Sequence, residues 1–297
     1  MRSILRATAL GLASLIVAAA CGGGAAPTAT AAPAVVAAAA IPKFELATYM
    51  YALQTKGKIR IGTREDNVPF GLKNPASGKF EGFDIDIARE LAKGIFGKTE
   101  DADKFIEWVP VVSATRIPTL DENKADFVIA TFTINEDRKK QIDFSDVYFS
   151  TGQKILVKKT NTDITSLATL GGKTVCTAKG STSEQNVAKG NPQAKLLLLD
   201  TYPPCLLALQ QGTADAVSTD ETILFGLVKQ DPNTKIVGPY FSDEPYGIGV
   251  KMNKADRQGF AAYLNVELKA MIADGRWAAA YKKWITPVSG DEKKAPK

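Results

Sequence analysis

Histidine is absent from all 297 residues, which narrows the chemistry open to this chain at once. No Ser/His/Asp set can form, and a zinc site would need carboxylates in place of imidazoles. General acid–base work would fall to carboxylates, lysine or tyrosine, and no constellation among them stands out. No phosphate-cradling glycine loop occurs. What does stand out is a capacity to hold charge. Gly180-Ser181-Thr182-Ser183-Glu184 joins a glycine turn to capping hydroxyls and then an acidic residue. That is a helix start, and its free amides attract anions. Arg138 offers a planar fork able to bind two carboxylate oxygens at once, although its run with Lys139 and Lys140, taken alone, reads as a solvated face.

The three cysteines divide by position. Arg2 and Arg6 precede an apolar run, 7–20, that ends in Ala18-Ala19-Ala20 directly before Cys21. The run reads as a secretory signal peptide, too short to span a bilayer comfortably. It resembles a bacterial lipobox, which would make Cys21 the lipidated first residue of the mature protein. Cys176 and Cys205 are then left as a pair, and in an oxidising compartment a disulfide is expected. It would close a loop of about 30 residues and stabilise by roughly 3 to 4 kcal/mol in the chain-entropy model. Residues 22–40 are almost entirely Gly, Ala, Pro, Thr and Val, with no apolar period, and read as a flexible tether. Beyond the leader no stretch has the length and apolarity of a membrane span. The formal charge of +5 is scattered, and the dense basic runs are short, so no nucleic-acid partner is expected.

These residues must be positioned by regular elements, and from Lys58 the pattern alternates short β-branched runs with amphipathic stretches, an α/β signature. Strands are expected at 59–62, 105–111, 127–130, 154–157, 174–177, 195–199, 214–217 and 246–251. Helices are expected at 84–95, 116–123, near 166–170, from Ser181, from Pro204, at 254–274 and at 276–284. In the first helix Ile85, Ile87, Ala88, Leu91 and Ala92 share one face. The length suits two α/β lobes of about 100 residues each. Periodicity does not reveal whether the chain crosses between them twice.

Gly82-Phe83-Asp84-Ile85-Asp86, Thr131-Phe132-Thr133-Ile134-Asn135-Glu136-Asp137-Arg138 and Asp143-Phe144-Ser145-Asp146-Val147-Tyr148 stand in an order and spacing similar to the polar amino-acid solute-binding proteins of ABC importers, the family 3 extracellular solute-binding proteins. The chain most resembles their glutamate/aspartate-binding and glutamine-binding branches. The resemblance implies an α/β, type II periplasmic-binding-protein fold, two α/β lobes joined by two hinge strands. It divides the chain into a signal peptide (1–20), a lipidated Cys and tether (21–57), lobe one (58–152 and 246–288), lobe two (153–245) and a tail (289–297).

The same resemblance implies the site. Arg138, with Ser181 and Thr182 at the helix start, would meet an α-carboxylate. Asp220, with Thr131 and Thr133, would accept from the α-ammonium. Arg64, Ser113 and Arg116 stand at ligand-facing positions, and Tyr202 occupies a place where relatives often carry histidine. A zwitterion leaves water only if both of its charges are matched, and two further arginines suit a second carboxylate. The expectation is therefore an exported lipoprotein, anchored at Cys21 to the outer face of the cytoplasmic membrane or in the periplasm, that captures glutamate or aspartate for an ABC permease and its ATPase. It would act as a monomer without metal or cofactor and without enzymatic activity. The alternatives are glutamine as ligand, a secreted dehydratase-like enzyme on the same fold, and a surface interaction protein.

Overall fold

The computed structural model describes residues 43–97, 101–252, 257, 259–292 and 295–296. The signal peptide, Cys21 and the segment to residue 42 lie outside the described residues. The expected tether over 21–57 extends too far, because Tyr49–Lys56 is a helix, α1. Thr48 caps it, Gly57 ends it in the left-handed region (φ 69°), and it buries Met50 and Leu53. The Tyr49 hydroxyl donates to Asp126 Oδ1 at 2.8 Å, tying the helix to the body.

The first lobe starts on β1 (Ile59–Thr63), makes an antiparallel meander of β2 (Asp66–Asn67), β3 (Gly71–Lys73) and β4 (Phe80–Glu81), and enters α2 (Phe83–Phe96). Then follow β5 (Ile106–Pro110), α3 (Arg116–Asp121), β6 (Phe127–Val128), α4 (Glu136–Lys139) and β7 (Ile142–Phe144). β5 and β6 run parallel to β1 on either side. Such a sheet is covered on both faces, and its residues alternate accordingly. Ile61, Phe127 and Ile129 pack with Ile87, Leu91 and Ile95, while Val128 and Ala130 pack with Val111, Leu120 and Ile142. All five apolar residues assigned to the inner face of α2 are buried.

The ten-residue β8 (Phe149–Lys158) carries the chain into the second sheet. There β9 (Thr174–Ala178), α5 (Thr182–Gly190), β10 (Lys195–Leu199), α6 (Tyr202–Gln211), β11 (Ala216–Asp220), α7 (Glu221–Gln230) and β12 (Thr234–Val237) build the order β10-β9-β11-β8-β12. β13 (Asp243–Tyr246) pairs antiparallel with the start of β8, Tyr246 opposite Phe149. The chain then returns to the first sheet as β14 (Gly249–Lys251), between β6 and β7. The two crossings are stitched together: Ser145 N donates to the Ile248 carbonyl, and Tyr148 N to the Tyr246 carbonyl, each at 2.9 Å.

The single strand expected at 246–251 is thus two strands in different sheets. Sequence pattern does not distinguish a continuous apolar run from one that changes sheets at Gly247. The strand expected at 214–217 is Ala216–Asp220, so Asp220 ends the strand itself. The helix expected from Lys254, which lies outside the described residues, is observed as α8 (Phe260–Asp274) behind Gly259 at φ +81°, and α9 (Arg276–Trp284) follows it.

The base of the cleft is an aromatic cluster. Phe70, Phe83, Tyr148, Phe149 and Tyr246 are fully buried beside Trp277, whose Nε1 donates to the Tyr148 carbonyl at 2.8 Å. Phe70 lies 5.1 Å from Phe149, and Phe149 stacks 5.5 Å from Tyr246. Phe70 and Phe83 therefore belong to the core. In the second lobe Cys176 and Cys205 are joined, clipping β9 to α6 with 5.4 Å between Cα atoms. Replacing both by serine is expected to lower stability by roughly 3 kcal/mol. Urea unfolding of oxidised and variant protein measures it.

Candidate functional site

The site lies where the C-terminal ends of the strands in both lobes face each other. Arg64 directly follows β1 and is 1% exposed. Its Nε and Nη2 donate to the two carboxylate oxygens of Asp66 at 3.0 and 3.2 Å, and its Nη1 lies 3.5 Å from Ser113 Oγ. Across the cleft its guanidinium stands 5.7 Å from the Tyr202 ring, at the start of α6.

Arg116, at the start of α3, turns inward. Nη1 donates to the carbonyls of Ala130 and Thr131 at 3.1 and 2.9 Å, Nε donates to the Ser113 carbonyl, and the guanidinium lies 4.3 Å over Phe132. Thr131 is held at φ +45°, costly for a β-branched residue, with its amide donating to the buried Asp84 at 2.9 Å. Arg138 sits in α4, where Asn135 accepts from its backbone amide. Its Nη1 donates to the Thr133 carbonyl at 2.6 Å, its Nη2 approaches the Gly180 carbonyl of the other lobe at 3.5 Å, and it too lies over Phe132.

On the second lobe Ser181 caps α5. Its Oγ accepts from Glu184 N, and Gly180 N donates back to the Glu184 carboxylate. The Ser181 hydroxyl also donates to the Ala178 carbonyl at 2.6 Å, so the serine is engaged in the cap. Asp220 begins α7 without capping it. One of its oxygens accepts from the Tyr246 hydroxyl, whereas Oδ1 is buried with no hydrogen-bond partner among the described residues. Such an orphaned acceptor points to a donor that the site is built to receive.

The lobes are closed on one another. The Thr133 and Thr182 hydroxyls are 3.4 Å apart, and both donate to Glu244 Oε2 at 2.7 Å. A Cβ added at Gly226 of α7 would lie 2.1 Å from the Val68 carbonyl oxygen, so backbone meets backbone across the cleft. A cavity of about 440 Å³ remains at the mouth, lined by Ser113, Phe132 and Arg138 on one side and Lys179, Gly180 and Glu184 on the other.

Burial dominates the electrostatics. It disfavours the charged forms of Arg116 and Arg138, and Arg116 also feels Arg138 and Arg64. Burial, then the nearby Glu244, pushes Asp220 up to about 8 against the pull of the Tyr246 bond and the arginines. Burial raises Asp84 to about 7. A carboxyl with a raised folded pKa stabilises below its unfolded value, near 4, and that contribution is lost as pH rises through the folded value. Stability of the ligand-free protein is therefore expected to fall from pH 5 to pH 8.5, a trend read by chemical unfolding across that range.

Of the ten expected residues, Ser113 and Arg138 line the cavity at the mouth, Arg64 meets Tyr202 and Thr133 meets Thr182 between the lobes, whereas Arg116 and Thr131 bond within their own lobe, Ser181 is engaged in the cap of α5 and Asp220 accepts from Tyr246. Sequence reasoning missed two that bond to them. Asp66, two residues beyond Arg64, had a local signal in its spacing. Glu244 had none, since its hydroxyl partners lie 111 and 62 positions away.

Comparisons with known proteins place the chain in a family. A profile of the bacterial extracellular solute-binding proteins, family 3, matches residues 59–287. The ABC transporter glutamine-binding protein GlnH of Bacillus subtilis is 45% identical over 235 residues, 79% of this chain and 83% of that protein. The glutamate-binding protein GluB of Corynebacterium glutamicum is 34% identical over 243 residues, 80% of each. Among solved structures, an ancestral arginine-binding protein bound to glutamine superposes with a TM-score of 0.70 at 42% identity, covering 77% of this chain and 97% of that one. The fold is that of the type II periplasmic amino-acid-binding proteins, and the chain belongs to the bacterial extracellular solute-binding proteins, family 3.

Proposed function

We propose that this protein is the substrate-binding component of an amino-acid ABC importer and that its ligand is glutamine. Arg138 and the first amides of α5 would take the α-carboxylate. Asp220 Oδ1 and the Thr133 hydroxyl oxygen would take the α-ammonium. The observation that carries glutamine over an acidic ligand is the bidentate Arg64–Asp66 pair. Its charge is already matched, so a second ligand carboxylate would meet Asp66 as well as Arg64. Arg116, the other arginine behind the expectation of glutamate or aspartate, donates to backbone carbonyls. An amide, with one acceptor and two donors, can use Arg64 and Asp66 together.

Bodies comprising 58–152 with 246–288, and 153–245, would open and close about the two crossings, presenting the closed surface to a permease. Lipidation of Cys21 would hold the protein at the outer face of the cytoplasmic membrane as a monomer. Titration calorimetry of protein refolded free of carried-over ligand tests the reading against glutamine, glutamate, aspartate and arginine. Micromolar or tighter glutamine binding at least tenfold stronger than glutamate binding is expected. A preference for glutamate would restore the acidic reading, and no amino-acid binding would remove the transport role. Saturating glutamine is also expected to flatten the fall in stability with pH, because an ammonium beside Asp220 favours its carboxylate form.

A further inference from the structure

Glu244 lies on β13, one of the two strands that join the lobes, and it is 1% exposed. Its Oε2 receives one hydroxyl from each lobe, Thr133 from the end of the first sheet and Thr182 from the start of α5, both at 2.7 Å. Its Oε1 is held from the second lobe by Asn186 Nδ2 at 2.9 Å and by the Ser242 hydroxyl at 2.6 Å. The strand that carries it is also bridged by backbone to the first lobe, Ile134 N donating to the Pro245 carbonyl at 2.7 Å and Gly247 N to the Phe132 carbonyl at 3.0 Å, so the carboxylate stands at the junction where a threonine from each lobe reaches it.

An ionised carboxylate only accepts hydrogen bonds. Each threonine hydroxyl has one proton, and here both protons point at Glu244. The two hydroxyl oxygens, 3.4 Å apart, then present only lone pairs elsewhere. Among charges, Glu244 is the largest effect that raises Asp220.

From this geometry we infer that Glu244 is a positioning residue that fastens the closed lobes through Thr133 and Thr182 and fixes both hydroxyls as acceptors for the ligand's ammonium group. The second half of this rests on the proposed amino-acid ligand; the fastening does not. The residue acts through the threonines and touches no ligand itself. Its effect belongs to the closed state alone, so it slows release rather than speeding capture.

Glu244→Gln tests the inference because the amide keeps size and packing but, with one acceptor oxygen and one donor in place of two acceptors, cannot take all four of the bonds from Thr133, Thr182, Asn186 and Ser242. Stopped-flow binding of glutamine is expected to show dissociation at least tenfold faster than in the wild type, with association changed less than threefold and the ligand-free unfolding midpoint nearly unchanged. Thr182→Val, which leaves Glu244 intact, is expected to speed dissociation as well, and the double variant to be no worse than the stronger single one. Wild-type dissociation rates in both single variants would overturn the inference, as would fully additive losses. Should the wild type bind no amino acid, the proposed ligand fails separately. Fluorescence energy transfer between dyes on the two lobes then reads the fastening, with a more open distribution in both variants expected and an unchanged one overturning it.

Discussion

Arg138→Ala is expected to weaken amino-acid binding by more than about 2 kcal/mol, a factor of about thirty. The side chain is buried, and one of its amino groups already bonds the Thr133 carbonyl, which fixes the fork in direction. The other faces Gly180 at 3.5 Å across the cleft, too far for a strong bond between the lobes and near enough for a carboxylate to join the same cluster. Burial disfavours its charge, with Glu244 and Asp220 compensating only in part, so an incoming carboxylate relieves a cost already present in the empty site. Truncation removes both the bidentate partner and the positive charge. Arg138→Lys separates these effects: it keeps the charge but not the fork, and is expected to fall between wild type and alanine. Calorimetry measures the affinities, and unfolding of ligand-free protein shows whether the variants are intact. Near-normal affinity in the alanine variant would remove Arg138 from the site.

The parts of this molecule legible in the sequence are those with short-range causes. The apolar period of α2, the capping residues of α5 and the spacing from Thr131 to Arg138 each involve residues close together in the chain. The cysteine pair was legible by a different route, through compartment and count. What escaped depends on residues far apart in the chain. The split of 246–251 into β13 and β14 follows from pairing with β8 on one side of Gly247 and with β6 and β7 on the other. α1 followed a segment whose composition had suggested a tether, and it is fixed by a bond from Tyr49 to Asp126, 77 positions away. Arg64 and Arg116 were singled out by position, but their charges mean opposite things. Arg116 is absorbed by carbonyls of its own lobe, while Arg64 is matched by a carboxylate that itself borders the cleft.

That last difference makes ligand choice a property of Asp66 as much as of Arg64. Asp66→Asn is expected to raise the ratio of glutamate to glutamine affinity by roughly thirtyfold to a hundredfold, about 2 to 3 kcal/mol. Asp66 is 23% exposed at its side chain and Arg64 is 1% exposed, so removing the carboxylate strands a buried guanidinium with little water to replace its partner. The ligand-free variant should lose stability for this reason. Glutamate's distal carboxylate, which in the wild type would stand beside the like charge of Asp66, then finds an unpaired fork of the right geometry. Glutamine keeps its bond to Arg64 but loses an acceptor for its amide protons, so its affinity should fall while that of glutamate rises. Calorimetry with both ligands gives the ratio. Thermal unfolding supplies an independent reading, because glutamate should restore more of the lost stability than glutamine does at equal concentration. An unchanged ratio would mean that the ligand side chain ends elsewhere in the cleft and that the Arg64–Asp66 pair serves only to brace the loop after β1.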